Sequence, residues 1–289
     1  MRMAWLYKKG PAVCLVLFSQ VSFASQCTDS PPLIDAQHAE TLWQGDFSKG
    51  FATWGETKFQ FGAENIAFVS EPNGRFPKFL RIRYPEGSYD SGTALKGLAP
   101  MGGVQFTSNF GSMKVPASDS IVLSYSVRFD EEFDFVRGGK LPGLYGGIPR
   151  SGGQLPTGRD GYSTRIVWQS KGKGALYAYL PTNSKAYKGV TYGTMIGAGA
   201  WQFEPGKWTD LSQRIKLNKP GTNDGRITIW IDGALVHDEC GLRFRDIPSL
   251  KIDGIFFSTF FGGNEPDWAS RKDTYADFTN FRLSRIKAE

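Results

Sequence analysis

Soft metal ligands are scarce: three cysteines and two histidines in 289 residues. That scarcity excludes a disulfide-stapled miniature fold, and His38 and His237 lie too far apart for HxH or HxxxH metal spacing. Charged residues make up 21% of the chain against 40% hydrophobic ones, the balance of a folded domain and not of a disordered one. Long apolar runs are missing. Beyond the short N-terminal run Pro11–Phe18, no segment approaches the ~20 apolar residues of a membrane-spanning helix. No stretch of about 12 residues sustains a 3.6-residue apolar period, so bundles and coiled coils are excluded and little helix is expected. Neither G-x-S-x-G nor GxxxxGK[ST] occurs, which sets aside a nucleophile-elbow hydrolase and a phosphate loop.

The N-terminus reads as a targeting segment. Arg2, Lys8 and Lys9, with no acid among them, precede the apolar PAVCLVLF, and Ser22-Phe23-Ala24 places small residues where a signal peptidase reads. Residues 1–24 are therefore expected to be a signal peptide, and the protein to be secreted or periplasmic. Gln26 before Cys27 is not a lipobox, so no stable membrane association is expected after cleavage. Removal of the signal takes away three bases and no acid, lowering the formal charge from +6 to +3. So mild an excess, with no basic cluster in a nucleic-acid motif, argues against a nucleic-acid partner and suits an extracellular polyanion. Cys14 leaves with the signal. Cys27 and Cys240 remain, either as a disulfide in an oxidising compartment or as two buried thiols.

What is abundant is glycine, 35 residues or about 12% against a usual ~7%. Residues 25–40 look like a loop-like N-terminal arm, and 41–289 like one domain of short apolar or alternating runs punctuated by Gly, Pro, Asn and Asp. Strands are expected at 79–84, 120–129, 162–168, 175–180, 208–217, 225–231, 252–260 and 275–286. Trp230-Ile231-Asp232-Gly233 leading to Val236 has the chemistry of a hairpin. The fold class this predicts is all-β, a jelly-roll β-sandwich of two antiparallel sheets.

Two neighbouring strands concentrate polar chemistry. In 162–168, Ser163, Arg165 and Val167 share one face; in 175–180, Tyr177 and Tyr179 share one face. The segment QSKGKG between them reads as a hairpin turn. Symmetry about Lys171 would set Ser163 opposite Tyr179 and Arg165 opposite Tyr177. A hydroxyl, a guanidinium and two phenols on one face suit β-elimination in a polyuronate. That reaction needs the C5 carboxylate neutralised, a base for the C5 proton and an acid for the O4 leaving group. Arg165 can bind a carboxylate bidentately. A phenol beside a cation is expected to have a lowered pKa, so that either tyrosine can serve as base or acid. Ser163 can donate to the carboxylate or to a sugar hydroxyl. The same face also fits a solvated surface with a cation–π pair.

The preceding segment, Arg137 to Gly147, reads as a Gly-rich loop whose glycines allow close approach to a ligand. Lys140 within it can bind a carboxylate or, partly desolvated, act as a base. Arg137 and Tyr145 are candidate substrate contacts. Further along, Phe260, Phe261, Gly262, Gly263 and Asn264 with Trp268 can line a sugar groove by stacking. His237 reads as structural. The acidic run Asp130 to Asp134 reads as a solvated turn, because it lacks the alternating carboxylate spacing of a glycosidase pair.

GGKLPGLYGG, YSTRIVWQSKGKGALYAYLP, FFSTFFGGNEPDW and ADFTNFRLSRI together resemble polysaccharide lyase family 14, whose members are alginate and glucuronan lyases on a β-jelly roll. The resemblance is close over 115–286 and loose over 41–115. It implies that Lys140 is the family's functional lysine, that Ser163 and Arg165 are its serine–arginine pair, and that Tyr177 and Tyr179 are its two tyrosines. A lyase acting on an anionic polysaccharide, as a monomer without cofactor or metal, is the expectation. A non-catalytic carbohydrate-binding jelly roll using the same aromatics and Arg165 is the alternative at this point.

Overall fold

The computed structural model describes residues 27, 29–31, 34, 38–45, 47–181, 185–187 and 190–287. The expected signal segment lies outside the described residues. Within them, seventeen strands run in chain order: β1 (Ala39–Gly45), β2 (Thr57–Phe61), β3 (Ile66–Ser70), β4 (Lys78–Tyr84), β5 (Val104–Asn109), β6 (Ser120–Phe129), β7 (Gly138–Gly147), β8 (Gly161–Gln169), β9 (Gly174–Tyr179), β10 (Lys185–Tyr187), β11 (Val190–Tyr192), β12 (Thr194–Ile196), β13 (Trp208–Lys216), β14 (Gly225–Ile231), β15 (Ala234–Leu242), β16 (Gly254–Thr259) and β17 (Thr274–Ile286).

Two antiparallel sheets face each other as a jelly-roll sandwich. One has the order β15-β14-β13-β6-β17-β4-β3, with β1 also paired to β17; the other has the order β12-β9-β8-β7-β16-β5-β2; β10 and β11 form a separate pair. Period-2 alternation builds the core. In β6, Ile121, Leu123, Tyr125, Val127 and Phe129 are buried between the sheets, while Ser120, Ser124 and Arg128 on the other face keep some exposure. Aromatic rings fill the interior: Phe106 stacks on Phe257 with centroids 4.6 Å apart, and Tyr125 on Phe281 at 4.9 Å.

The predicted strands all occur, with small shifts at their ends, and the Asp232-Gly233 turn joins β14 to β15. Both residues have positive φ, 50° and 80°, as a two-residue type I′ turn requires. The sequence pattern did not disclose β1, β2, β3, β5, β7, β10, β11 or β12, and gave β15 only as the returning arm of the hairpin. β1 also starts at Ala39, inside the expected arm. The main correction concerns Gly138–Gly147, which is a central strand and not a loop. Its glycines serve close packing: a Cβ on Gly143 would lie 1.7 Å from the Thr164 carbonyl oxygen, and one on Gly139 2.0 Å from the Trp168 ring. Pro142 sits at the irregularity in the β7–β8 register, where a missing N–H is tolerated.

The N-terminal arm is tied down covalently. Cys27 and Cys240 form a disulfide, with Cα atoms 5.5 Å apart across 213 residues of sequence. Asp29 beside it pairs with Arg226 at 3.0 Å. Asp238 lies close to the two sulfurs, but both sulfurs are taken by the bond to each other.

Candidate active site

The outward face of the seven-stranded sheet carries the site. Arg165 of β8 stands opposite Tyr177 of β9, and Ser163 opposite Tyr179, the register that symmetry about Lys171 requires. Lys171 and Gly172 make that turn with φ of 61° and 74°. On the other side of β8, Lys140 of β7 pairs with Val167. Beyond it, Phe256 and Ser258 of β16 and Gln105 of β5 complete the same face. The alternate residues Thr164, Ile166, Leu176 and Ala178 point into the sandwich and are fully buried.

These side chains line a cavity of about 510 Å³ that includes Lys140, Arg165, Tyr177, Tyr179, Gln105, Arg137 and Trp268. The Lys140 ammonium lies 4.3 Å from the centre of the Tyr177 ring. The Arg165 guanidinium carbon is 4.9 Å from the Phe256 ring centre and 5.9 and 6.0 Å from those of Tyr177 and Tyr179. The two phenol oxygens are 3.5 Å apart. Each also accepts from a loop backbone: Gly193 N–H donates to Tyr177 at 3.0 Å, and Gly153 N–H to Tyr179 at 3.5 Å.

Burial sets the protonation states. Lys140 keeps part of its surface open to the cavity, yet desolvation, with the Arg165 charge adding to it, lowers its pKa to about 7. Burial likewise lowers that of Arg165, opposed by the two tyrosines. The Tyr177 phenol is pushed up, first by desolvation and then by Tyr179, and the nearby guanidinium offsets only part of that. This reverses the sequence-based expectation of an acidified phenol at Tyr177. A cation 5.9 Å from the ring centre is outweighed by loss of water. Among the described residues, neither the Lys140 ammonium nor Arg165 has a carboxylate partner. One of the five guanidinium N–H donors reaches Ser258 Oγ at 3.3 Å, and Nε is buried without an acceptor.

Two candidates fall outside the cavity. The Ser163 hydroxyl is fully buried and donates to the Arg150 carbonyl oxygen, anchoring the loop after β7. Tyr145 packs beside Gly254 and is 6% exposed. Alternation gave Ser163 the right face but not the loop that covers one end of it, and Tyr145 was read in a loop, with no face. Arg137 and Trp268 form the rim: the guanidinium lies 4.7 Å from the indole centre and pairs with Asp267. Phe260, Gly262, Gly263 and Asn264 also line the cavity, whereas Phe261 turns inward and stacks on Phe133 at 5.4 Å. His237 sits on β15 in the opposite sheet, 3.2 Å from Glu239. The acidic run forms a turn in which Glu132 pairs with Lys272 at 2.5 Å and Asp134 with Arg271 at 3.2 Å. Gln105 and Ser258 were missed. Ser258 was accessible from alternation with Phe256 in FFST; Gln105 lies in a strand that carried no clear pattern.

A model of the polysaccharide lyase 14 family matches residues 73–281. The chain belongs to that family and is a polysaccharide lyase. It is similar to the marine polysaccharide lyase 14 alginate lyase from Aplysia kurodai, with 30% identity and a TM-score of 0.72 over 86% of this chain and 100% of that one. Alginate lyase vAL-1 from Chlorella virus shares the fold at 23% identity and a TM-score of 0.67, over 86% of this chain and 100% of that one. The endo-β-1,4-glucuronan lyase from the fungus Trichoderma reesei does so at 12% identity and 0.52, over 86% and 96%. No curated protein matched the chain.

Proposed function

We propose that this lyase is secreted or periplasmic and cleaves mannuronate-rich alginate or glucuronan by β-elimination. What supports this most is the pair of cations, Arg165 and Lys140, set in one cavity with no carboxylate partner among the described residues. An unpaired buried cation costs several kcal/mol, and a polyuronate brings one anion per sugar to offset it. Arg165 receives the carboxylate and makes the C5 proton acidic. Lys140, held near neutrality at about 7, takes that proton in its amine form. Tyr177, kept protonated by burial, gives its proton to O4 as the C4–O4 bond breaks and the C4=C5 double bond forms. Tyr179 orients the Tyr177 hydroxyl. Arg137 and Trp268 hold a flanking sugar at the rim. Non-catalytic binding would have no use for an amine poised to titrate at neutral pH.

Lys140, Arg165, Tyr177 and Tyr179 project from one sheet face and meet the sugar from one side. In mannuronate and glucuronate, H5 and O4 lie on the same side of the ring; in guluronate they lie on opposite sides. The arrangement therefore favours syn elimination. The signal-like N-terminus and the Cys27–Cys240 disulfide support an extracytoplasmic setting. Incubation with polymannuronate, glucuronan and polyguluronate, followed by ultraviolet absorbance of unsaturated uronate ends, tests the assignment. Faster cleavage of the first two is expected; cleavage of polyguluronate alone would overturn it.

A further inference from the structure

Gln105 faces the cavity from β5, opposite Ser258 in register. The Ser258 hydroxyl donates to Gln105 Oε1 at 2.9 Å and accepts from Arg165 Nη1 at 3.3 Å. Ser258 thus accepts from the guanidinium and gives its one proton to the amide oxygen, so the chain runs from Arg165 to Ser258 to Gln105. In this arrangement the amide oxygen faces Ser258 and the NH2 is left over. That NH2 has no acceptor among the described residues, and neither do the remaining N–H groups of Arg165. Two sets of donors thus border one cavity, locked to each other through a single serine, with nothing to receive them.

We propose that Gln105 is a second carboxylate-binding residue, its amide N–H taking one carboxylate oxygen of the bound uronate while Arg165 takes the other, and that Ser258 is the positioning residue for both. This rests on the polyuronate-lyase reading above. A neutral donor suits this position. As the C5–H pair moves into the forming C4=C5 bond, negative charge grows on the carboxylate oxygens, and a fixed N–H strengthens with it. A third cation would push the Lys140 amine further from its working range, whereas an amide does not. Gln105 neither gains nor loses a proton in this scheme.

The test compares Gln105→Glu, Gln105→Ala, Ser258→Ala and Ser258→Thr on polymannuronate and glucuronan, with thermal melts of each. Wild-type protein must first release unsaturated uronate ends; if it cleaves no polyuronate, the substrate reading fails and takes this proposal with it, an outcome distinct from those of the variants. Gln105→Glu keeps the acceptor for Ser258 but sets an anion against the carboxylate. It is expected to lose about 100-fold or more in kcat/KM, and more than Gln105→Ala. The loss should lie mainly in kcat, with melting temperatures close to wild type. Ser258→Ala should lose about 10-fold, and Ser258→Thr should restore the wild-type rate, which a packing role for the serine would not predict. Equal activity of Gln105→Glu and Gln105→Ala, or a loss confined to KM in both, would place Gln105 on a sugar hydroxyl or in a structural role and overturn the proposal. Should Gln105→Glu fail to fold, a wild-type kcat in Gln105→Ala would overturn it equally.

Discussion

The two sheets use the same materials on their outer faces and reach opposite electrostatic ends. On the eight-stranded sheet, Arg81 lies 3.5 Å from the Tyr275 ring centre and Arg128 4.7 Å from that of Trp208. Both converge on the fully buried Asp277, at 2.7 and 2.9 Å, and Arg128 also reaches Glu71 at 3.0 Å. Burial alone would lower those two arginines, but the bonds to Asp277 outweigh it and their pKa values rise. On the seven-stranded sheet, Arg165 has three rings around it and, among the described residues, no such carboxylate, and burial lowers its pKa. One face is an ion-pair network complete in itself. The other is the same network with its anion missing, beside a cavity that fits a sugar. Guanidiniums over aromatic rings therefore do not mark a site; the missing carboxylate does.

Substitution should pull the two faces apart most strongly in activity. Lys140→Met is expected to lose about 10³-fold or more in turnover on polymannuronate, since no other group is poised as base. Asp277→Asn should leave the chemistry untouched where the protein folds but cost about 3–5 kcal/mol in denaturant melts, because two arginines lose their shared partner. Lys140→Met should do the reverse to stability. The folded-state pKa of Lys140, about 7, lies below the ~10.4 of an unfolded lysine. Between those values the unfolded chain binds more protons, so the lysine destabilises the fold fully below pH ~7 and not at all above pH ~10.4. Lys140→Met should melt higher than wild type at pH 6, with the gap closing as pH rises. A wild type more stable than Lys140→Met at pH 6 would mean the ammonium has a partner.

The pH profile sharpens the same contrast. With a neutral amine as base, kcat/KM should climb through pH ~7. The raised Tyr177 phenol stays protonated, so no loss of acid should appear until strongly alkaline pH. Tyr177→Phe should cut turnover about 10²-fold, and Tyr179→Phe less. The smallest effect on turnover is expected at β15, the edge strand of the eight-stranded sheet, away from the cavity. Cys240→Ser removes a cross-link whose loop-closure worth is about 5 kcal/mol in the chain-entropy model, lowering the melting temperature while leaving kcat unchanged. Free-thiol titration of denatured, unreduced protein should find no thiol in the mature wild type.

How much of this could be seen in the chain depends on which interactions are local. The β8–β9 hairpin, and with it the facing of Arg165 and Tyr177, follows from strand alternation and a short turn, both encoded in one contiguous segment. β7 was hidden because its glycines are packing devices against Thr164 and Trp168, and glycine in a run reads as loop. Gln105 and Ser258 were hidden because their meeting depends on the pairing of β5 and β16, two strands far apart in the chain. Ser163 had the correct parity, but its exclusion from the cavity depends on the loop through Arg150, and the place of Tyr145 depends on β7 being a strand and on the packing around Gly254. The direction of the Tyr177 shift was misjudged because proximity to a cation is legible in a strand pattern and depth of burial is not.

The most direct test of the missing-anion account is the rate of unsaturated uronate formation by Arg165→Ala on polymannuronate, with melting measured in parallel. Removing a cation that only the substrate pairs should lower the rate by about 10³-fold or more and leave the melting temperature unchanged or higher. A rate near wild type, or an Arg165→Ala protein that unfolds as Asp277→Asn is expected to, would show that Arg165 serves the fold and that the substrate carboxylate is held elsewhere.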